Sequence, residues 1–167
     1  MRSIWLGLVL LAGPLVATPG PDTVVVLVRH AEKATDGSRD PLLTDAGRQR
    51  ADALVERVAD RPIAAVYATP FRRTQLTAWP VAHARGLSIT VRPAGESAAS
   101  FAEVLRTRHA GQQVLVVGHS NTLPALARAL GAPDVADMDE SEYDRAMIVV
   151  IPPHGEVRLQ QERWTVP

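Results

Sequence analysis

Residues 23–30 read Thr-Val-Val-Val-Leu-Val-Arg-His, a largely β-branched run that ends in an arginine and a histidine. A continuous run of this kind predicts a strand buried on both faces, as in the parallel sheets of α/β proteins. The polar residues 31–43, which include Asp-Gly-Ser and Asp-Pro, predict a loop. Thr44 and Asp45 then suit the start of a helix that runs to about residue 60. The chain therefore opens as a strand, a loop and a helix.

The same alternation of strand and helix patterns continues along the chain. Further strands are predicted over residues 63–67, 87–91, 113–117 and 146–151, and further helices over 69–85, 97–109 and between 121 and 131. Residues 156–163 are predicted to form an edge hairpin with the strand before them. Pro80 predicts a kink or a break in the second helix. Repeated strand–helix units predict a three-layer αβα fold with an open, mostly parallel sheet and an antiparallel edge hairpin.

The composition limits the classes of function. The chain has 167 residues, 46% of them hydrophobic, which suits a single domain over residues 22–167. The formal net charge is zero, so the basic face of a nucleic-acid binder is not expected. The absence of cysteine excludes disulfides, thiolate catalysis and cysteine metal ligands. No histidine pair has metal-ligand spacing, and we expect neither a metal nor another cofactor.

The N-terminal residues have the layout of a secretory signal peptide. Arg2 precedes an apolar run over residues 4–11, and a Leu-Val-Ala segment ending at Ala17 precedes the Pro/Gly-rich stretch 18–21. This pattern predicts a signal peptide within residues 1–20 that is cleaved near Ala17. The mature protein is then expected to be periplasmic or secreted, with no stable membrane span. An uncleaved anchor and a buried first helix are the alternatives.

Two histidines directly follow predicted strands. His30 comes after the strand at 23–28, and His119 comes after the strand at 113–117. In an open α/β sheet, ligands bind beyond the carboxyl ends of the strands. Both histidines are therefore expected at the edge of the sheet where a functional site forms.

Four segments around these histidines resemble the histidine phosphatase superfamily, which includes cofactor-dependent phosphoglycerate mutases and small phosphohistidine phosphatases. Arg29-His30-Ala31 matches the family's Arg-His-Gly or Arg-His-Ala signature, and residues 43–47 match its Leu-Thr-x-x-Gly segment. Residues 69–78 match its Ser-Pro-x-x-Arg-x-x-x-Thr-Ala segment, with threonine in place of serine, and Gly118-His119 matches its Gly-His pair. The four motifs occur in the family's order over about residues 23–131.

The resemblance implies a phosphatase in which His30 is the nucleophile. A neutral imidazole nitrogen can attack phosphorus and form a covalent phosphohistidine, which water then hydrolyses. Arg29 and Arg73 are implied to hold the phosphoryl oxygens, and His119, if protonated beside the phosphate, adds another donor. Glu96 is the candidate general acid and base, because the family places an acidic residue after the third strand. Its alternative role is to stabilise a helix N-terminus.

The resemblance also limits the substrate. Residues 32–37 lack the Ser-x-x-Asn continuation of the phosphoglycerate mutases, so mutase activity is not expected. The chain lacks the insertions that shape a sugar-phosphate pocket in larger members, which favours an open site. The expected partner is a small phosphorylated substrate or a phosphorylated component of the cell envelope.

Two alternatives use some of the same residues. Residues 118–122 nearly match the Gly-x-Ser-x-Gly turn of serine hydrolases, with Ser120 as nucleophile and His154 as base, but this leaves the arginines without a role. In a phosphatase, Ser120 is expected to cap the following helix. In the second alternative, the arginines and histidines bind a phosphorylated ligand without turnover.

Overall fold

The computed structural model describes residues 20–165, which form a six-stranded sheet with helices on both faces. The strands are β1 (Thr23–Arg29), β2 (Ile63–Ala68), β3 (Ile89–Val91), β4 (Gln113–Gly118), β5 (Arg145–Ile151) and β6 (Arg158–Arg163). The helices are α1 (Asp45–Arg57), α2 (Arg72–Ala84), α3 (Ala98–Arg108) and α4 (Leu123–Ala129). Within the described range, no helix is long and apolar enough to cross a bilayer. Residues 1–19, which contain the predicted cleavage site, lie outside that range.

The strand order in the sheet is β3-β2-β4-β1-β5-β6. β1 is parallel to β4, and β2 is parallel to both β4 and β3. β5 runs antiparallel to β1, and β6 runs antiparallel to β5. The predicted fold class, a mostly parallel open sheet between helical layers with an antiparallel edge hairpin, is therefore confirmed. This topology brings the carboxyl ends of β1, β2 and β4 to one edge of the sheet.

All residues of β1 are buried, which accounts for its unbroken run of apolar residues. Successive side chains of a strand point to opposite faces of its sheet. Val24, Val26 and Val28 belong to the apolar cluster shared with α1 and α2. Val25 and Leu27 belong to the cluster shared with α3 and α4. Helices therefore cover both faces of β1, and its functional residues can lie only at its end.

Helix α1 is fixed against the segment that follows β1. Thr44 caps the helix by accepting a hydrogen bond from the amide of Gly47 at 3.0 Å, and its own amide donates to the Glu32 carbonyl at 2.9 Å. A Cβ at position 47 would lie 2.2 Å from that carbonyl oxygen, so the close approach requires glycine. Arg50 also binds the Glu32 carboxylate, with hydrogen bonds of 2.7–3.0 Å. The Leu-Thr-x-x-Gly segment thus holds the chain just beyond His30.

Helix α2 continues through Pro80, so the predicted break does not occur. Proline removes the helical hydrogen bond to the carbonyl of Leu76, four residues earlier. Leu76 is 40% exposed, so solvent can bind that carbonyl instead. The helix can therefore carry Arg73 at its start and still pack its buried face against the sheet.

Candidate active site

A polar pocket lies beyond the carboxyl ends of β1 and β4. Four of the residues predicted for the site line this pocket: Arg29, His30, Arg73 and His119. It encloses about 730 Å³ of space, part of which is open to solvent. We call it the histidine pocket. Glu96, the remaining predicted residue, does not line it.

The parallel pairing of β1 with β4 places the two histidines together. Arg29 is the partner of Gly118 in the register of these strands, so His30 and His119 both follow directly. The amide of His30 donates to the Gly118 carbonyl at 3.0 Å. The two imidazole rings lie 5.4 Å apart, centroid to centroid, at 64° to each other.

The hydrogen bonding and burial of His30 leave one nitrogen available as a nucleophile. Its Nδ1 lies 2.8 Å from the carbonyl oxygen of Ala31. A carbonyl only accepts, so Nδ1 carries the proton, and the lone pair of the neutral ring lies on Nε2. Burial, with further contributions from the charges of Arg29, His119 and Arg73, lowers the pKa of His30 from 6.5 to about 3, although the Ala31 hydrogen bond opposes this shift. His30 is therefore neutral at neutral pH.

Thr77 of α2 holds the backbone of Ala31, the residue that contacts the ring of His30. Its hydroxyl accepts a hydrogen bond from the amide of Ala31 at 2.9 Å and donates to the carbonyl of Arg73 at 2.7 Å. Thr77 is only 3% exposed. One buried hydroxyl therefore connects the residue after His30 to Arg73.

Arg29 contacts the segment between α4 and β5. The side chain is 5% exposed, and its Nη1 donates to the carbonyl oxygen of Glu140. Its guanidinium lies over the ring of Tyr143, 4.2 Å from the centroid, and this ring lies 6.1 Å from that of His30. These contacts stabilise the guanidinium at the rim of the histidine pocket.

Arg73, at the start of α2, also lines the histidine pocket. Its guanidinium stacks over Phe71, 4.2 Å from the ring centroid, and lies 3.6 Å from the carboxylate of Asp40. Burial lowers the pKa of Arg73, and the charge of Arg29 adds to this effect, whereas Asp40 opposes it. The effect of Asp40 is larger than that of Arg29, so burial is the main cause of the lowered pKa of Arg73.

Both arginines have a buried donor without a partner. The Nε atoms of Arg29 and Arg73 make no hydrogen bond within residues 20–165. Buried N–H groups in folded proteins are nearly always paired, so both guanidinium groups retain hydrogen-bonding capacity that the protein does not satisfy. An oxyanion in the histidine pocket would bring acceptors to two guanidinium groups that suit phosphate geometry. The pocket therefore has the charge and the donors to bind a phosphoryl group.

His119 is also neutral at neutral pH in the protein alone. Burial, followed by the charges of Arg73, Arg29 and Lys33, lowers its pKa from 6.5 to about 4. Its protonation therefore needs a compensating negative charge nearby. A bound phosphate dianion provides that charge, because it counters the field of the arginines.

A chain of hydroxyls sets the tautomer of His119. The Thr74 hydroxyl lies 2.8 Å from the carbonyl of Phe71 and 2.8 Å from the Thr69 hydroxyl, which lies 3.0 Å from His119 Nε2. The Phe71 carbonyl can only accept, so the single proton of the Thr74 hydroxyl is donated to it. The Thr69 hydroxyl then donates to Thr74, and His119 Nε2 donates to Thr69. Protonation of His119 would then occur at Nδ1. The sequence motif contains Thr69, but its contact with His119 was not foreseen.

The acidic residue that lines the histidine pocket is not the predicted one. Glu96 lies in a neighbouring cavity, where Arg92 binds it through Nε at 2.8 Å and through a second nitrogen, and Ser100 donates to it at 3.2 Å. Within the described part of the chain, Glu140 is the acidic residue that lines the histidine pocket. Sequence reasoning missed Glu140 because it belongs to an irregular acidic segment with no motif.

The structure does not form the serine hydrolase pair. Ser120 lines the histidine pocket and is 9% exposed, but His154 is exposed and follows the end of β5. β5 ends beside Thr23, at the start of β1, whereas Ser120 follows the end of β4. The two residues therefore lie at opposite edges of the sheet, about 20 Å apart by strand length. Ser120 is also not the helix cap, because Thr122 occupies that position before α4.

Comparisons with known proteins agree with this geometry. Residues 25–96 match the family model of the histidine phosphatase superfamily (branch 1). Phosphoserine phosphatase 1 of Hydrogenobacter thermophilus is 26% identical over 179 aligned positions, which cover 76% of this chain and 85% of that protein. The predicted resemblance to the histidine phosphatase superfamily is confirmed, and the curated relative is a phosphatase.

Solved structures of the same fold include phosphatases. The protein histidine phosphatase SixA in complex with tungstate has a TM-score of 0.66 and 21% identity, covering 84% of this chain and 96% of its own. Mycobacterial glucosyl-3-phosphoglycerate phosphatase Rv2419c has a TM-score of 0.61 and 17% identity, covering 86% of this chain and 99% of its own. At these identities, the two structures show that the fold is shared.

Proposed function

We propose that this relative of the histidine phosphatases hydrolyses phosphate monoesters or phosphoramidates through a covalent phosphohistidine on His30. The observation that carries the proposal is the free Nε2 lone pair of a neutral, buried His30 between two arginines with unpaired buried donors. A nucleophile beside donors that hold phosphoryl oxygens is the arrangement that phosphoryl transfer needs. The phosphatase relative supports the same class of reaction.

The reaction proceeds in two displacements at phosphorus. In the first, His30 Nε2 forms a bond to phosphorus while the bond from phosphorus to the leaving oxygen or nitrogen breaks, and the leaving group takes a proton. In the second, water attacks the phosphorus, the bond to Nε2 breaks, and its electron pair returns to the imidazole as the water loses a proton. The Ala31 carbonyl accepts from Nδ1 throughout and stabilises the positive charge of the phosphorylated ring.

Positive groups around the pocket stabilise the transferring phosphoryl group. Arg29 and Arg73 donate to its equatorial oxygens through charge-assisted hydrogen bonds. His119 becomes a further positive donor once the phosphate dianion has raised its pKa. Arg29 is held by the ring of Tyr143 and by the Glu140 carbonyl. Arg73 is held by the ring of Phe71 and lies beside the Asp40 carboxylate, so both arginines need little reorganisation during the reaction.

Glu140 is our candidate for the proton donor to the leaving group and the base for water. It lines the pocket, and its own carbonyl oxygen binds Arg29, which fixes its backbone at the site. Glu96 is the alternative proton donor, because the family places an acidic residue after the third strand. Its carboxylate oxygens are bound to Arg92 and Ser100. A proton donor matters most for poor leaving groups such as alkoxides.

The proposed location is outside the cytoplasm. The sequence before Pro19 supports this location, because a charged residue, an apolar run and small residues follow one another as in a signal peptide. These residues lie outside the part of the chain that the structure describes. The corresponding substrates are small phosphorylated molecules or phosphorylated components of the cell envelope. Fractionation of cells that express the full chain tests this, with N-terminal sequencing to locate the cleavage near Ala17. Recovery of the uncut chain in the cytoplasm would contradict it.

Hydrolysis of an aryl phosphate tests the function. We expect His30→Ala to lose activity by about 10³-fold or more, because the nucleophile is removed. His154→Ala is the matched control, because this histidine is exposed at the opposite edge of the sheet. Inhibition by vanadate, together with resistance to a fluorophosphonate, separates this mechanism from that of a serine hydrolase. Binding of phosphate without turnover in the unmodified protein would favour the non-catalytic alternative.

A further inference from the structure

A second cavity adjoins the histidine pocket and has largely apolar walls. It lies between α3 and α4 and encloses about 670 Å³ of space, part of which is open to solvent. Tyr67 and Val116 form part of its floor, and Phe101 and Leu126 form part of its sides. We call it the α3–α4 cavity. The phosphoryl transfer described above makes no use of it.

The two cavities adjoin each other. Ala94, Asn121 and Thr122 line both of them. Thr69, whose hydroxyl contacts His119 Nε2, lines the α3–α4 cavity as well. A phosphate held beside His119 can therefore carry a substituent that extends directly into the apolar space.

The charged groups of the α3–α4 cavity are already paired with each other. Arg92 binds Glu96 through two nitrogens, and its guanidinium lies over Phe101, 5.2 Å from the ring centroid. This pair contributes no net charge. A sugar or an amino acid in the cavity would lose water from its polar groups and find few free partners, which costs free energy. An apolar group would instead gain by leaving water.

We propose that the α3–α4 cavity binds the leaving group of the substrate, so that the protein prefers phosphomonoesters of hydrophobic alcohols or phenols. This inference rests on the proposed function, because the phosphate must be held in the histidine pocket. Small-molecule binding sites are mostly apolar with a few polar groups, and the lining of this cavity has that character. Asn121, at the boundary of the two cavities, supplies such a polar group beside the ester oxygen.

A series of primary alkyl phosphates tests this preference. Ethyl, butyl and hexyl phosphate have leaving groups of similar basicity, so chain length changes mainly the apolar contact. We expect kcat/KM to rise by about three- to four-fold per added methylene until the cavity is filled. Equal kcat/KM values across the series would overturn the inference.

A binding measurement separates this inference from the proposed function. Ethylphosphonate and hexylphosphonate cannot be hydrolysed at their carbon–phosphorus bond, and calorimetry gives the Kd of each. If no alkyl phosphate turns over, the proposed function fails, but tighter binding of hexylphosphonate would still support the apolar site. Equal Kd values for the two phosphonates would overturn it whether or not turnover occurs.

Variants that fill the α3–α4 cavity test whether the preference for longer alkyl chains arises there. Ala125 of α4 and Ala98 of α3 line the cavity, whereas Ala129, one turn after Ala125 on the same helix, is exposed and does not line it. We expect Ala125→Leu to lower the ratio of hexyl to ethyl phosphate kcat/KM by about ten-fold or more, and Ala129→Leu to preserve that ratio. Ala98→Leu fills the space from the other helix if the first variant does not fold. An unchanged ratio in a folded filling variant would overturn the inference.

Discussion

The hydroxyl of Thr77 accepts a hydrogen bond from the amide of Ala31 at 2.9 Å, across the gap between α2 and the end of β1. This contact holds the backbone of Ala31, the residue whose carbonyl accepts a hydrogen bond from His30 Nδ1. The same hydroxyl donates to the carbonyl of Arg73. A single buried side chain therefore contacts the backbone of both Ala31, next to His30, and Arg73.

Thr77→Val replaces this hydroxyl by a methyl group of similar size. We expect the free energy of unfolding to fall by about 1–3 kcal/mol, because the buried amide of Ala31 loses its acceptor. We also expect kcat to fall more than KM rises, since the orientation of His30 is relaxed. Urea denaturation and steady-state kinetics measure the two effects. Thr77→Ser, which keeps the hydroxyl, is the control, and equal behaviour of the two variants would contradict the role of the hydrogen bond.

Gly47→Ala tests the close contact between α1 and the segment after β1. The added Cβ would lie 2.2 Å from the Glu32 carbonyl oxygen, so the backbone must move. We expect a loss of roughly 1–3 kcal/mol in the free energy of unfolding. Gly95→Ala is the control, because a Cβ there meets no atom within 4 Å. If both variants unfold at the same denaturant concentration, the close contact with the Glu32 carbonyl does not require glycine at position 47.

The stability of the protein should fall on acidification below about pH 6.5. In the unfolded chain, His30 and His119 take up protons near their ordinary pKa of 6.5, whereas in the folded protein their pKa values are lowered to about 3 and about 4. The unfolded state therefore binds more protons between these pH values, so stability rises with pH across this window. Denaturation at several pH values checks this. A His30→Asn/His119→Asn double variant should show a flatter dependence, and an equally steep one would contradict the assignment.

Glu140→Gln and Glu96→Gln compare the two candidates for the general acid. We expect Glu140→Gln to lower kcat for an alkyl phosphate by about 10²-fold or more, because the alkoxide then leaves without a proton. The loss should be much smaller for 4-nitrophenyl phosphate, whose phenolate leaves readily. Glu96→Gln should not show this dependence on the leaving group. The opposite pattern would return the role to Glu96.

Local patterns predicted the elements and placed His30 and His119 at one edge of the sheet, whereas the assignment of Arg29 and Arg73 followed from the family resemblance. The β-branched run before Arg29 and the apolar run before Gly118 can only be buried strands, and parallel pairing then brings their ends together. The continuity of α2 through Pro80 was not predictable in this way, because it depends on where the unpaired Leu76 carbonyl lies.

The acidic residue of the site depends on distant contacts that local patterns do not contain. Glu140 lies in an irregular segment whose course is set by arginines from other elements. Arg128 binds the carbonyl of Val135, and Arg145 binds those of Ala136 and Asp137. The sequence shows these arginines, but not which carbonyls they bind. The motif order therefore pointed to Glu96, whereas the folded chain brings Glu140 to the pocket.

The central claim is that the phosphoryl group passes through His30 Nε2. The protein is mixed with 4-nitrophenyl phosphate, quenched during turnover in alkali, in which phosphohistidine is stable, and digested for mass spectrometry. We expect a phosphoryl group on His30 that is lost in acid, is absent from His30→Asn and is retained in His154→Ala. An acid-stable phosphoryl group on Ser120, or turnover with no phosphoryl group on His30 under these conditions, would contradict the account.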